Sequence, residues 1–185
     1  MRYILCAGAV LALSAAIWTQ LDRPVLASDK SDENSIAVVD ECDPRDPGWT
    51  PTGGCLLKKG EGDVSVAEFG QFLFSPLGPG ILIGHPGWRN QPSYLRVEAG
   101  NAVHVANKGG RTHTFTEVAQ FGGGRIPPLN GALSPAANCL VPGTDLAPGD
   151  RVQVKGLQPG IHRFQCCIHP WMRAAIRVTA SDDKD

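Results

Sequence analysis

The chain has 185 residues, with 17 Lys and Arg against 18 Asp and Glu, a formal net charge of −1. So near-neutral a balance gives no reason to expect nucleic acid or a polybasic membrane contact. The length suits a single folded domain once the leader described next is set aside.

The N-terminus reads Met-Arg-Tyr, then an apolar run from Ile4 to Trp18, then the small-residue site Val25-Leu26-Ala27. This is the layout of a secretory signal peptide, expected to be cleaved after Ala27. The run is short for a membrane span of about 20 residues, so membrane attachment is expected only if the segment stays uncleaved. Cleavage removes Arg2, Arg23 and Asp22, a net of +1, and takes the charge from −1 to −2. Export, to the periplasm or outside the cell, puts the mature chain in an oxidising compartment.

Residues 28–75 are expected to form an N-terminal extension. Ser28 to Glu41 is polar and acidic apart from Ile36 to Val39, a mobile lead-in that starts a strand. Cys42 and Cys55 flank a Pro- and Gly-rich loop with little core of its own. Asp63 to Phe74 carries Val64, Val66, Phe69, Phe72 and Phe74, a pattern that fits neither the helical nor the strand period cleanly. From Ile81 on, short β-rich runs alternate with turns: Tyr94 to Glu98, Ala102 to Asn107, the stretch opening at His113, Val152 to Val154, Ile161 to Cys166 and Ala174 to Thr179. Strands at this spacing, with Gly and Pro turns, predict an all-β sandwich or barrel. Residues 121–143 form a long connection of the kind that is functional or braced.

The chemistry is concentrated near the C-terminus, in Phe164-Gln-Cys166-Cys167-Ile-His169-Pro-Trp-Met172-Arg. A thiolate, an imidazole and a thioether at Cys-x2-His-x2-Met spacing are three members of a soft ligand set that suits copper. Zinc sites prefer Cys, His and carboxylate in a closed tetrahedron, and a Met at the axial position argues against that. A second imidazole is needed. His113 is the best candidate, because it follows the strand Ala102 to Asn107 and a Gly-Gly loop and opens the next strand, where a second loop can close over it. His104 alternates with Val103 and Val105 and so lies on the opposite sheet face. His85 sits in a Gly-His-Pro-Gly turn. His162 shares the parity of Phe164 and Cys166, which permits a packed position near the site. Cys167 would leave one residue before His169, and Cys166 leaves two.

These segments resemble the ligand segments of cupredoxins, the plastocyanin and azurin family of type 1 blue copper proteins. The Cys-Cys-Ile-His-Pro-Trp-Met-Arg loop is most similar to that of amicyanins, and Asn107 to His113 resembles the family's Asn, five-residue loop and His. The resemblance covers residues 76–180. It implies a cupredoxin-like Greek-key β-sandwich or barrel, one copper ion, and His113, Cys166, His169 and Met172 as its ligands. Thr114 would brace the Cys loop. The family's C-terminal His reaches the surface inside an apolar patch, which Pro170 and Trp171 would supply, for transient contact with redox partner proteins by a monomer. Two positions depart from the pattern: Cys167 directly follows the ligand, and Ala174 stands where amicyanins have Gly. Neither removes a ligand. Motifs of multicopper oxidases are missing, since the partner of His113 is Phe115 and Cys166 is flanked by Gln and Cys. The expected role is therefore a one-electron carrier, not an enzyme. The alternative is a copper-binding module for storage, delivery or sensing.

Five cysteines remain after cleavage. With Cys166 on the metal, the other four allow three pairings. Cys42 with Cys55 is the most local, which leaves Cys139 with Cys167. Strand alternation also turns Cys167 away from Cys166.

Overall fold

The computed structural model describes residues 33–76, 80–142 and 145–181. The expected signal segment and its cleavage site lie outside these residues. Two four-stranded sheets face each other across one apolar core. The first runs β2 (Arg89–Gln91), β1 (Ser35–Val39), β4 (Val103–Asn107), β8 (Arg151–Val154). The second runs β3 (Tyr94–Glu98), β10 (Arg173–Thr179), β9 (Gly160–Gln165), β6 (Thr116–Val118). A short ladder joins β5 (His113–Thr114) to β7 (Asp145–Leu146).

Alternation builds the core, because successive side chains on a strand face opposite ways. Ile36 and Val38 of β1 and Val103 and Val105 of β4 are buried, and so are Leu95 and Val97 of β3 and Ala174, Ile176 and Val178 of β10. The strands read from the sequence are thus present; burial alternates along β1, β3, β4 and β10, whereas β8 has no buried position and β9 buries the adjacent Phe164 and Gln165. β1, from the segment read as an extension, pairs parallel to β4 and antiparallel to β2. Trp49, Val64 and Leu73 from the same segment share the common core.

The ambiguous stretch before Phe74 is a helix, α1 (Val66–Phe74). Ser65 caps it by accepting from the Glu68 N–H at 3.1 Å, the Ser-x-x-Glu signature of a helix start. It ends at Ser75, the residue before Pro76, a position that disfavours helical backbone. Val66, Phe69 and Leu73 share its inner face and pack against the core; Phe74 points out to solvent. The strand period failed here because the apolar residues follow a helical stripe.

Both expected disulfides are present, Cys42–Cys55 and Cys139–Cys167. Cys166 is the free cysteine among the described residues, and it is buried. The second bridge fastens the long 121–143 connection to the end of β9. Arg125 N–H donates to Cys167 O at 2.7 Å, and Gln165 exchanges side-chain hydrogen bonds with the backbone of Gly122 and Gly123. The connection is braced.

Candidate metal centre

β9 and β10 form a hairpin whose connecting loop, residues 166–172, lies at one end of the sandwich. β6 runs antiparallel to β9 with Thr116 opposite Gln165. Continuing that register sets Thr114 level with Cys167, which carries His113 to the mouth of the loop. Thr114 Oγ1 accepts the Cys167 N–H at 2.7 Å, and Thr114 N–H points at the Cys166 sulfur at 3.4 Å. The bracing role expected of Thr114 is therefore visible as two hydrogen bonds. Inside the loop, His169 N–H also approaches Cys166 Sγ at 3.4 Å, Met172 N–H donates to His169 O at 2.9 Å, and Cys166 N–H donates to Met172 O at 3.0 Å. These bonds wind the loop into a tight turn that holds Met172 beside the other candidate ligands, with its side chain buried.

Three donor atoms converge. Cys166 Sγ lies 3.8 Å from His113 Nδ1 and 3.8 Å from His169 Nδ1, and all three atoms fall within 4.8 Å of one another. Bonds of about 2.3 Å to sulfur and about 2.0 Å to nitrogen separate the two donors by about 3.7 Å at a trigonal angle and about 3.5 Å at a tetrahedral one. The observed 3.8 Å spacings lie close to both, so the three donors can share one ion. Two convergent imidazoles and a thiolate, with a thioether in the same loop, are the donor chemistry of a copper site. His85, His104 and His162 stay out of it. His85 is buried and accepts the Gly87 N–H. His104 is exposed beside Gln153. His162 bonds Glu117 and Gln158 O.

In the metal-free protein the thiol and one imidazole are in the form a metal needs, while the other imidazole has to release a proton to bind one. Burial pushes the Cys166 thiol up, but hydrogen bonds to His113 and His169 outweigh it and hold the thiol well below its usual range. Burial pushes His169 down, so its imidazole is neutral with a lone pair free. Burial would lower His113 too, yet its hydrogen bonds to Asp40 and Cys166 hold it up at about 9.

Asp40 has no counterpart among the residues singled out from the sequence. His113 Nε2 lies 2.8 Å from Asp40 Oδ2, and neither side chain has any solvent exposure. The carboxylate also accepts the Gly110 and Arg111 N–H groups at 3.2 and 3.0 Å. Burial raises its pKa, but the His113 contact and these N–H groups bring the net shift below the usual value. A side chain on Gly109 would collide with the carboxylate, so the Gly-Gly loop is what lets it approach. Asn107 ties the same loop from beneath, donating to Arg111 O and Leu146 O and accepting from Gly109 N–H. Arg111 reaches across to the carbonyls of Trp49, Thr52 and Gly54, and its guanidinium stacks over Trp49 at 4.8 Å. Leu56 N–H donates to Gly110 O. The Cys42–Cys55 loop is thereby docked on the loop that carries His113.

The expected surface patch is a correction. Pro170 and Trp171 are buried and His169 is only 6% exposed. Phe69 of α1, Trp88 and Trp171 surround the His169 ring at centroid distances of 6.4, 6.4 and 5.6 Å. Gly84 lies flat on the Trp171 indole, where any Cβ would overlap it. The cover comes from Phe69, which precedes the part of the chain on which the resemblance rests, and from Gly84 and Trp88 near the start of that part.

No family model and no curated protein matches the sequence. Among solved structures the chain is similar to a purple cupredoxin from Nitrosopumilus maritimus, at 15% identity and a TM-score of 0.38, over 78% of this chain and 98% of that one. It is similar to a reduced amicyanin variant at 21% identity and a TM-score of 0.34, over 47% of this chain and 70% of that one. A second reduced amicyanin variant gives 19% identity and a TM-score of 0.35, over 49% and 73%. The chemistry of the site is carried by the side chains described above.

Proposed function

We propose that this chain is an exported type 1 copper protein that carries single electrons, with copper held by His113, Cys166, His169 and Met172. The observation that carries the reading is the buried convergence of Nδ1, Nδ1 and Sγ, closed by a loop that also contributes a buried methionine. Bound copper would supply a one-electron Cu(II)/Cu(I) couple, gaining one electron on reduction and returning it on oxidation. The chain's part is to keep both states in one geometry. Cys166 receives two backbone N–H groups, His113 is pinned through Asp40, and His169 is packed among aromatic rings. Donors held this way move little on redox, which keeps reorganisation small. The soft Cys and Met favour Cu(I), and the imidazoles serve both states.

The enclosure of the site favours a carrier over a delivery module. An electron can tunnel through packed aromatic rings, whereas a metal ion passed to another protein has to leave through them. Redox partners would meet the outer surface of the cover, where Leu82 and Ile83 are exposed next to Gly84 and Trp171. Weak redox encounters need only a small interface.

The test is the spectrum and voltammetry of the copper-loaded mature protein. An intense visible thiolate-to-Cu(II) band and a reversible wave are expected, and Cys166→Ser is expected to abolish the band. A blue Cys166→Ser protein would refute the ligand set. Rapid loss of Cu(I) to a chelator without a reversible wave would replace the carrier by a delivery protein. Export is checked by the N-terminal sequence of the secreted protein, expected to begin at Ser28.

A further inference from the structure

We propose that Asp40 is a positioning residue for the metal centre: its buried carboxylate fixes the His113 ring with Nδ1 toward Cys166 and lowers the reduction potential by favouring the more positive metal state. The inference rests on the copper reading above and deepens it.

The geometry assigns the roles. An imidazole has two nitrogens, and the group bonded to one decides what the other can do. Asp40 Oδ2 sits 2.8 Å from Nε2, and Nδ1 is the nitrogen that faces Cys166 at 3.8 Å. A carboxylate is an acceptor only, so Nε2 has to donate and Nδ1 is left with its lone pair toward the metal. Asp40 is itself held. It takes the Gly110 and Arg111 N–H groups, and it lies buried directly after β1, on the parity of Ile36 and Val38. No cation other than His113 makes an ion pair with it among the described residues. The backbone dipoles and the Arg111 guanidinium partly offset the negative charge, which acts on the centre through one imidazole. In a site this buried that charge is weakly screened. It stabilises Cu(II) more than Cu(I), because the oxidised centre carries one more positive charge.

Carboxylates placed behind a ligating imidazole orient the ring and raise its basicity, and losing one typically costs about 10- to 100-fold in metal affinity. For a one-electron couple, a tenfold larger loss for Cu(II) than for Cu(I) raises the potential by about 59 mV.

Two variants separate charge from geometry. Asp40→Asn keeps an oxygen able to accept from Nε2 but removes the charge; Asp40→Ala removes both. Asp40→Asn is expected to keep the blue band, raise the potential and weaken Cu(II) more than Cu(I). Asp40→Ala is expected to do the same and also to free the His113 ring. A second measurement needs no variant. Nitrogen-15 NMR of the His113 ring in the Cu(I)-loaded wild-type protein is expected to show a slowly exchanging proton on Nε2. An Asp40→Asn protein that binds copper with unchanged potential and unchanged Cu(II) affinity would overturn the charge role. A proton found on Nδ1, or a His113 ring that exchanges freely in the wild type, would overturn the positioning role even if neither variant folds. Failure of the copper reading itself looks different, since a colour that survives Cys166→Ser removes the centre altogether, whatever Asp40 does.

Discussion

The two imidazoles that flank Cys166 have opposite surroundings. His113 stands on a polar framework of Asp40, two backbone N–H groups, Asn107 and a docked disulfide loop. His169 stands in an aromatic one, against Phe69, Trp88 and Trp171, with the sulfur of Cys166 as its hydrogen-bond partner. Directional bonds fix a ring's rotation and the proton it carries. Packing fixes its position and excludes water without specifying charge. The centre uses one device on each side, and the difference predicts that damage to the two sides will be felt differently.

The largest expected effect is on the aromatic side. Trp88 is 1% exposed and its ring touches Phe69 at 4.6 Å, His85 at 5.0 Å and Trp49 at 5.7 Å. Truncating a buried Trp to Ala costs about 3–5 kcal/mol. Trp88→Ala should lose that much in denaturant unfolding of the metal-free protein. Copper should also pass to a chelator faster, because the cover over His169 loosens, while the His113 ring keeps its proton on Nε2. A chelation rate equal to wild type would show that the aromatic wall does not hold the metal in.

The polar side is tested by the disulfide. Replacing Cys42 and Cys55 together by Ser opens a loop with a sequence separation of 13 and should cost about 3 kcal/mol in the chain-entropy model. The loop is what receives Arg111, so the segment 108–112 should gain hydrogen exchange while the 166–172 loop does not. Equal loosening of both loops would erase the distinction between the two sides.

The ligand loop was legible in the sequence because its donors lie within seven residues, and a local turn has to bring them together. His113 was legible one step further out, through the Gly-Gly loop and the strand that follows it. Asp40 was not, since its partner is 73 residues away and its neighbours read as an acidic lead-in. A signal existed: Ile36, Val38, Asp40 and Cys42 share one strand parity and all four are buried. An acid that continues an inward-facing series needs a partner, because an unpaired buried charge is costly. The cover over His169 escaped for another reason. Trp171 reads equally as a surface or a core residue, and which it is depends on α1, whose stripe was obscured by Phe72 and Phe74 outside the helix's inner face.

The smallest expected effect sharpens the comparison most, because the molecule carries a second histidine–carboxylate pair. His162 Nδ1 lies 2.6 Å from Glu117 Oε1, and its Nε2 lies 2.7 Å from Gln158 O. The side chains are 18% and 48% exposed, against zero for both members of the Asp40–His113 pair. The Glu117 hydrogen bond, then the Gln158 carbonyl, raises the His162 pKa above its usual value. Both ring nitrogens face acceptors, so only the protonated ring satisfies both. A raised folded-state pKa contributes stability that is complete below the unfolded value of about 6.5 and disappears as pH rises through the folded value. Solvent screening keeps such a pair at about 0.2–1 kcal/mol. His162→Gln should therefore destabilise the metal-free protein by up to about 1 kcal/mol near pH 5.5, and the gap to wild type should close as the pH is raised past the folded pKa. A gap that is the same at both ends of the range would mean that His162 acts by packing. A gap of several kcal/mol would mean that exposure does not weaken a histidine–carboxylate pair here, and the special weight given to the buried Asp40–His113 pair would lose its physical basis.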